Sequence, residues 1–116
     1  MSTILTFGRD VQGYNAYAPQ FPTDIYTATL SGNTAESVTV PSNYKAWIMS
    51  ISVEPGNELW VSRNGTATVP AGATFAAAVS ELNPGPRMVF AGDVISCLTP
   101  NTTCDVGISF YAVTLA

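Results

Sequence analysis

Residues 95–112 read ISCLTPNTTCDVGISFYA, two apolar-alternating stretches either side of a Pro-Asn-Thr turn. If Cys97 lies opposite Cys104, Ile95 faces Val106, and Ile108, Phe110 and Ala112 continue the same side. The other side receives Ser96, Asp105, Gly107 and Ser109. One register sorts apolar from polar, and a one-residue slip would invert it. This predicts an antiparallel C-terminal hairpin with one face in a core.

The same period of two runs from Lys45 to Val53. Trp47, Met49, Ile51 and Val53 share a face that we read as core. Ala46, Ile48, Ser50 and Ser52 form the smaller, more polar face. Asn64-Gly65 favours positive φ at both central positions of a type I′ turn, and so predicts a hairpin joining 58–63 to 66–69, with Trp60 opposite Val69. Both faces of that hairpin carry apolar groups, which leaves its inner face open.

Turn signals recur along the chain, among them Ser31-Gly32-Asn33, Pro41-Ser42-Asn43, Pro55-Gly56-Asn57, Asn83-Pro84-Gly85-Pro86 and Gly92-Asp93. Their spacing of about 7–14 residues is the rhythm of an all-β sandwich or barrel. A helix is an alternative at 73–82, around Ala76-Ala77-Ala78. Residues 1–24 differ from the rest. Phe7, Tyr14, Tyr17 and Phe21 sit among Gly, Asn, Gln, Ala and Pro with no sustained period, and Pro19 and Pro22 disfavour helix. We read an extended N-terminal arm over 1–24 and a β-sandwich domain over 25–116.

The 116 residues fit one domain, large enough to bury a core without staples. Charged residues make up 10% of the chain, against roughly 25% in an average domain. There is no histidine, one lysine and three arginines. Ser–His and Cys–His catalysis are therefore impossible. Lys45 has no Ser-x-x-Lys context and reads as a solvated strand-end charge. Glu54 and Glu58 flank a turn and are the best remaining carboxylate pair, read as solvated. Asp24, Asp93 and Asp105 lack the spacing of a calcium loop, and Asp93 reads as a turn residue bonding local backbone. The reading is a protein without catalytic, cofactor-binding or metal site.

The four cations are scattered through a chain of net charge −4, which disfavours nucleic acid and anionic membrane as partners. The segment 1–10 has no basic n-region or long apolar run, so it does not read as a signal peptide. No segment approaches the ~20 apolar residues of a membrane-spanning helix. Synthesis in a cytoplasm is expected. Cys97 and Cys104 read first as buried free thiols, with a cross-strand disulfide formed in an oxidising environment as the alternative; a zinc site has too few ligands. Asn64-Gly65-Thr66 and Asn101-Thr102-Thr103 match the N-glycosylation pattern and read as ordinary turns. Trp47 reads as core, while Trp60 stays open between core and a sugar-stacking platform.

The arm carries the sharpest functional expectation. Aromatics in an irregular segment need cover, and Tyr and Phe are favoured interface anchors. Phe7, Tyr14, Tyr17 and Phe21 are expected to anchor on a neighbouring subunit or partner. The alternative is an arm folded back on its own sandwich.

Three stretches resemble small jelly-roll decoration (cement) proteins of tailed bacteriophage capsids. They are Val38–Trp47 (VTVPSNYKAW), Leu59–Ala71 (LWVSRNGTATVPA), and the ending GDVIS from Gly92 with GISFYA from Gly107. The resemblance implies a jelly-roll-like antiparallel β-sandwich of about eight strands on the virion exterior. It also implies no enzymatic activity, the major capsid protein as partner, and a homo-oligomer, with trimer favoured over dimer. The alternative reading is a head-fibre or tail component, or a carbohydrate-binding module for host attachment.

Overall fold

The computed structural model describes Gln12 and residues 20–114. Within them the chain forms eight strands and no helix: β1 (Asp24–Ser31), β2 (Glu36–Thr39), β3 (Ala46–Val53), β4 (Trp60–Arg63), β5 (Glu81–Leu82), β6 (Arg87–Phe90), β7 (Val94–Leu98) and β8 (Thr103–Val113). Two four-stranded antiparallel sheets result, ordered β1-β8-β3-β6 and β2-β7-β4-β5. The all-β sandwich expected from the turn rhythm is the fold.

The pairing is nested from outside in. β1 pairs β8, β2 pairs β7, β3 pairs β6 and β4 pairs β5. Two further pairings, β3 with β8 and β4 with β7, knit these into the two sheets.

The core lies between the sheets. The first sheet contributes Leu30, Trp47, Met49, Val89, Cys104, Val106, Ile108, Phe110 and Ala112, and the second Val61, Ile95 and Cys97. Val40 and Leu59 enter from the connections. Trp47 is fully buried, stands edge-on to Tyr44 and Phe110, and donates its indole N–H to the Pro41 carbonyl at 3.0 Å. The predicted core face of 45–53 is therefore correct. Its inner end is deepest, and Ile51 and Val53 pack only partly against the core.

Two predicted hairpins are not made. β7 and β8 belong to different sheets, so Cys97 and Cys104 are not ladder partners: Cys97 sits beside Glu36 and Val61, and Cys104 beside Leu30. Their parity nevertheless holds, because both strands turn the same alternate residues into one shared core. Both cysteines are buried free thiols. Residues 66–69 form no strand, and β4 instead pairs β5 and β7. At Asn64 (φ 57°) the backbone N–H donates to the Val94 carbonyl at 2.7 Å, and the side-chain Oδ1 accepts the Val94 N–H at 2.8 Å. The asparagine thus captures β7 in place of a hairpin partner.

The connection 64–80 instead crosses the outer face of the second sheet. Ala67 N–H donates to the buried Ser96 hydroxyl at 3.0 Å, and Thr68 N–H to Ser80 at 2.9 Å. This explains why Ser96, predicted to face outward, is buried. The stretch 73–82 holds no helix and ends in β5. Asn side chains close the opposite end of the sandwich. Asn101 accepts the Glu58 N–H at 2.9 Å, and Asn83 accepts the Leu59 N–H at 2.8 Å. Gly32 is required there, since a Cβ would meet the Asn101 carbonyl oxygen at 2.5 Å.

Candidate interaction surface

The two sheets differ on their outer faces. The connection 64–80 is tied to the second through Ser96, and among the described residues no connection crosses the first, on which Ala46 is buried between its neighbours and the flanking positions are half-buried or exposed. Register lays out the bare face row by row. Phe90, Ala46 and Val113 form the first row, and Met88, Ile48 and Tyr111 the second. Ser50, Ser109 and Ile25 follow, then Ser52, Gly107 and Thr27. The last row carries Asp105 beside Thr29, with Glu54 extending β3. The face thus grades from apolar through hydroxyl to acidic, and its first four rows carry no charged side chain.

Met88 and Ile25 are more than half exposed, and Phe90 is exposed. Phe75, at the middle of the connection 64–80, is fully exposed. Together with Val69 and Val79 it makes that charge-free connection a second apolar feature. Exposed apolar side chains on adjacent rows, as Met88 and Phe90 are, mark interaction sites more often than isolated residues do.

Of the expected anchors, Phe21 is 91% exposed and sits just before β1. Phe7, Tyr14 and Tyr17 lie outside the described residues. The chain enters the sandwich through Thr23, whose N–H donates to the Phe110 carbonyl at 2.9 Å and whose hydroxyl accepts the Ala112 N–H at 3.2 Å. Phe21 thus lies two residues before the point where the chain joins the β8 edge of the first sheet, with its ring in solvent.

The carboxylates weighed for chemistry have structural bonds. Glu54 Oε1 accepts the Asp105 N–H at 3.1 Å, continuing the β3–β8 ladder past its last residue. Glu58 accepts the Trp60 indole N–H at 3.2 Å, and the Trp60 ring is half-buried. Asp105 accepts the Thr29 hydroxyl at 2.7 Å.

Asp93 accepts from Arg63 Nε at 2.7 Å, Phe90 N–H at 3.0 Å and Asn64 Nδ2 at 3.2 Å. The turn role expected for it is present, in the bond to Phe90. Burial pushes the Asp93 carboxyl pKa up, but the Arg63 guanidinium and the two amide donors outweigh it and hold the group below its ordinary value. Arg63 also lies over the Phe90 ring, 5.7 Å from its centroid. Burial alone pushes the Cys97 thiol up to about 11, which suppresses the reactive thiolate. Among the described residues no three His, Cys, Asp or Glu side chains cluster as metal ligands do.

No protein-family model, curated protein or solved structure matches the chain. The bare sheet face was not legible as a site in the sequence. Its residues come from four strands spread along the chain, β1, β3, β6 and β8, and the 46–52 face read alone is small and polar.

Proposed function

We propose that the protein is a structural component of a tailed-bacteriophage virion, a decoration protein that stabilises the head by bridging major capsid protein subunits. The observation that carries this reading is the four-row, charge-free outer face of the first sheet. It offers apolar and hydroxyl groups to a protein surface without requiring any charge to be desolvated. The nested strand pairing supports assignment to the jelly-roll class, whose eight strands fold as two Greek keys. Phe21 at the rim of the face, with Phe7, Tyr14 and Tyr17 preceding it in sequence, extends the contact onto a neighbour.

A decoration protein binds a shell that already holds together. Many modest contacts repeated by symmetry then suffice, and no single contact needs to be strong. The low charge and abundance of Ser and Thr suit such close association. On this reading the protein is not an enzyme, works on the capsid exterior, and has itself and the major capsid protein as partners rather than nucleic acid or membrane.

The test is the copy number in purified virions, measured against the major capsid protein by quantitative mass spectrometry. A ratio near one, or a simple symmetry fraction of it, supports a decoration role. A ratio of a few percent moves the protein to the tail or fibres, and absence from virions overturns the reading.

A further inference from the structure

Among the described residues strand β1, of eight residues, DIYTATLS, lies at a sheet edge and is hydrogen-bonded on one side, to β8. Its free side can be identified. Gly32 N–H donates to the Thr102 carbonyl, extending the β1–β8 register, and Glu54 N–H donates to the Asp105 carbonyl, extending the β3–β8 register. Antiparallel ladders alternate. The even residues of β8 therefore bond β1, and their partners on β1 are also even. The odd residues Ile25, Thr27, Thr29 and Ser31 point their backbone N–H and C=O groups out of the sheet edge.

Proteins blunt such an edge with lysine, proline, a bulge or a covering segment. β1 has no Lys or Pro, and Asp24, at its first position, is its only charged residue. Among the described residues none covers it. The opposite side of the sandwich differs, since Arg87 on β6 is ion-paired with Glu81 on β5.

Beside the bare edge the two sheets part. A cleft of about 320 Å³ opens between β1 and β2, lined by Tyr26, Ala28, Leu30, Val38, Ile95 and Ile108 among others. Tyr26 points into this cleft, edge-on to Phe110, yet is 41% exposed. Both the ladder and the apolar groups behind it are unfinished on the same side.

We infer that this edge is completed by β1 of a second copy, related by a two-fold axis through Ala28. A two-fold makes the new pair antiparallel, and it must set odd residues against odd to keep both faces continuous. Centring it on Ala28 places Thr27 opposite Thr29 of the other copy, and Ile25 opposite Ser31. All four outward-pointing residues are then engaged. The small Ala28 meets its own copy at the axis, in a non-hydrogen-bonded position where Cα atoms approach to about 4.5 Å. Tyr26 faces Leu30 of the other copy and closes the mouth of the cleft, and Asp24 meets no carboxylate in this register.

The two first sheets become one eight-stranded sheet with a continuous, bare outer face. This supplies the self-association included in the capsid reading, with a two-fold in place of the three-fold implied by the resemblance. Its test needs no virion, so failure of either proposal is seen separately.

The experiment uses the full chain. Sedimentation equilibrium is run from micromolar to millimolar concentration on the native sequence and on Thr27→Pro. Proline removes an outward N–H and leaves the β8 ladder intact, a position edge strands tolerate. A dimer in the native chain, weakened about tenfold or more in Thr27→Pro with unchanged circular dichroism, is the expected result; tenfold corresponds to about 1.4 kcal/mol. Ala28→Cys is oxidised in parallel. A self-paired cysteine at the axis has the Cα separation a disulfide needs, whereas Thr27→Cys faces Thr29 and does not. Cross-linking of Ala28→Cys but not of Thr27→Cys supports the register even if the proline variant fails to fold. A monomer throughout, a dimer indifferent to both variants, or a monomer whose Thr27 and Thr29 amides resist hydrogen exchange would overturn the inference. The last outcome would assign the edge to the chain's own N-terminal segment.

Discussion

Arg63 Nε lies 2.7 Å from Asp93 Oδ2, and this ion pair joins the end of β4 to the turn between β6 and β7. The guanidinium is half exposed and the carboxylate nearly buried. The arginine side is screened by water, and the value of the pair lies mainly in satisfying a carboxylate that would otherwise be stranded. Asp93 also holds the Phe90 N–H and the Asn64 amide. Asp93→Ala should therefore lower stability by about 1–3 kcal/mol through the loss of several hydrogen bonds. Arg63→Ala should cost less. Urea denaturation of the two variants gives the order, and equal losses would show that the pair itself dominates.

Acid acts on the same group. The folded-state pKa of Asp93 lies below its unfolded value of about 3.9. Its contribution is present above pH ~4 and is lost as pH falls through the depressed value. The native protein should lose stability below pH ~4 more steeply than Asp93→Ala, as read from urea midpoints across a pH series.

Cys97 contributes on the alkaline side, its thiol pushed by burial up to about 11 when folded against an unfolded value near 8.5. A raised thiol pKa gives stability that is complete below pH ~8.5 and falls as pH rises toward 11. Under reducing conditions this decline should shrink in Cys97→Ala. Folded native protein should also react slowly with thiol reagents at pH 8, and unfolding should release two thiols.

Asn64→Asp is a nearly isosteric change with a large expected effect. The Oδ1 that accepts the Val94 N–H is retained, but the donor 3.2 Å from Asp93 Oδ1 becomes a second carboxylate. Stability at pH 7 should fall by about 1–3 kcal/mol, and part should return near pH 4 as the pair takes up a proton. Thermal melts at the two pH values test this, and a pH-independent loss would point to the lost donor rather than repulsion.

Met88 tests the bare face. It is half exposed on the outer side of β6. Met88→Glu should leave stability within about 0.5 kcal/mol, as surface changes usually do. On the capsid reading it should abolish or strongly weaken binding to shells lacking the protein, measured by co-sedimentation. Undiminished binding would move the contact to another surface, with Phe75 the next residue to change.

Sequence periodicity reported which residues face the core more reliably than which strands are neighbours. Trp47, Met49, Cys104, Val106, Ile108, Phe110 and Ala112 are all buried as their alternation predicts. Alternation is a property of one strand, so it survives whatever the strand pairs with. Partners are decided elsewhere. The turn at 99–102 points β8 back against its chain neighbour β7, yet it lies between β1 and β3 in the other sheet. The Asn64-Gly65 hairpin rests on local backbone preference alone, which bonds from Asn64 to Val94 and Asp93 override. The bare face was hidden for the same reason. Ile48 counts as one apolar residue among serines until Met88 and Tyr111 are set beside it.

The nested pairing also has a consequence during synthesis. Of the eight strands among the described residues, the first made is matched to the last, with β8 completing both β1 and β3. At about 5–20 residues per second, β1 waits on the order of ten seconds for its partner to leave the ribosome. Through that interval the nascent chain carries an eight-residue, proline-free segment with both edges open. A message truncated before β8 yields a chain in which β1 and β3 lack the strand that lies between them, so the first sheet cannot form until β8 is made.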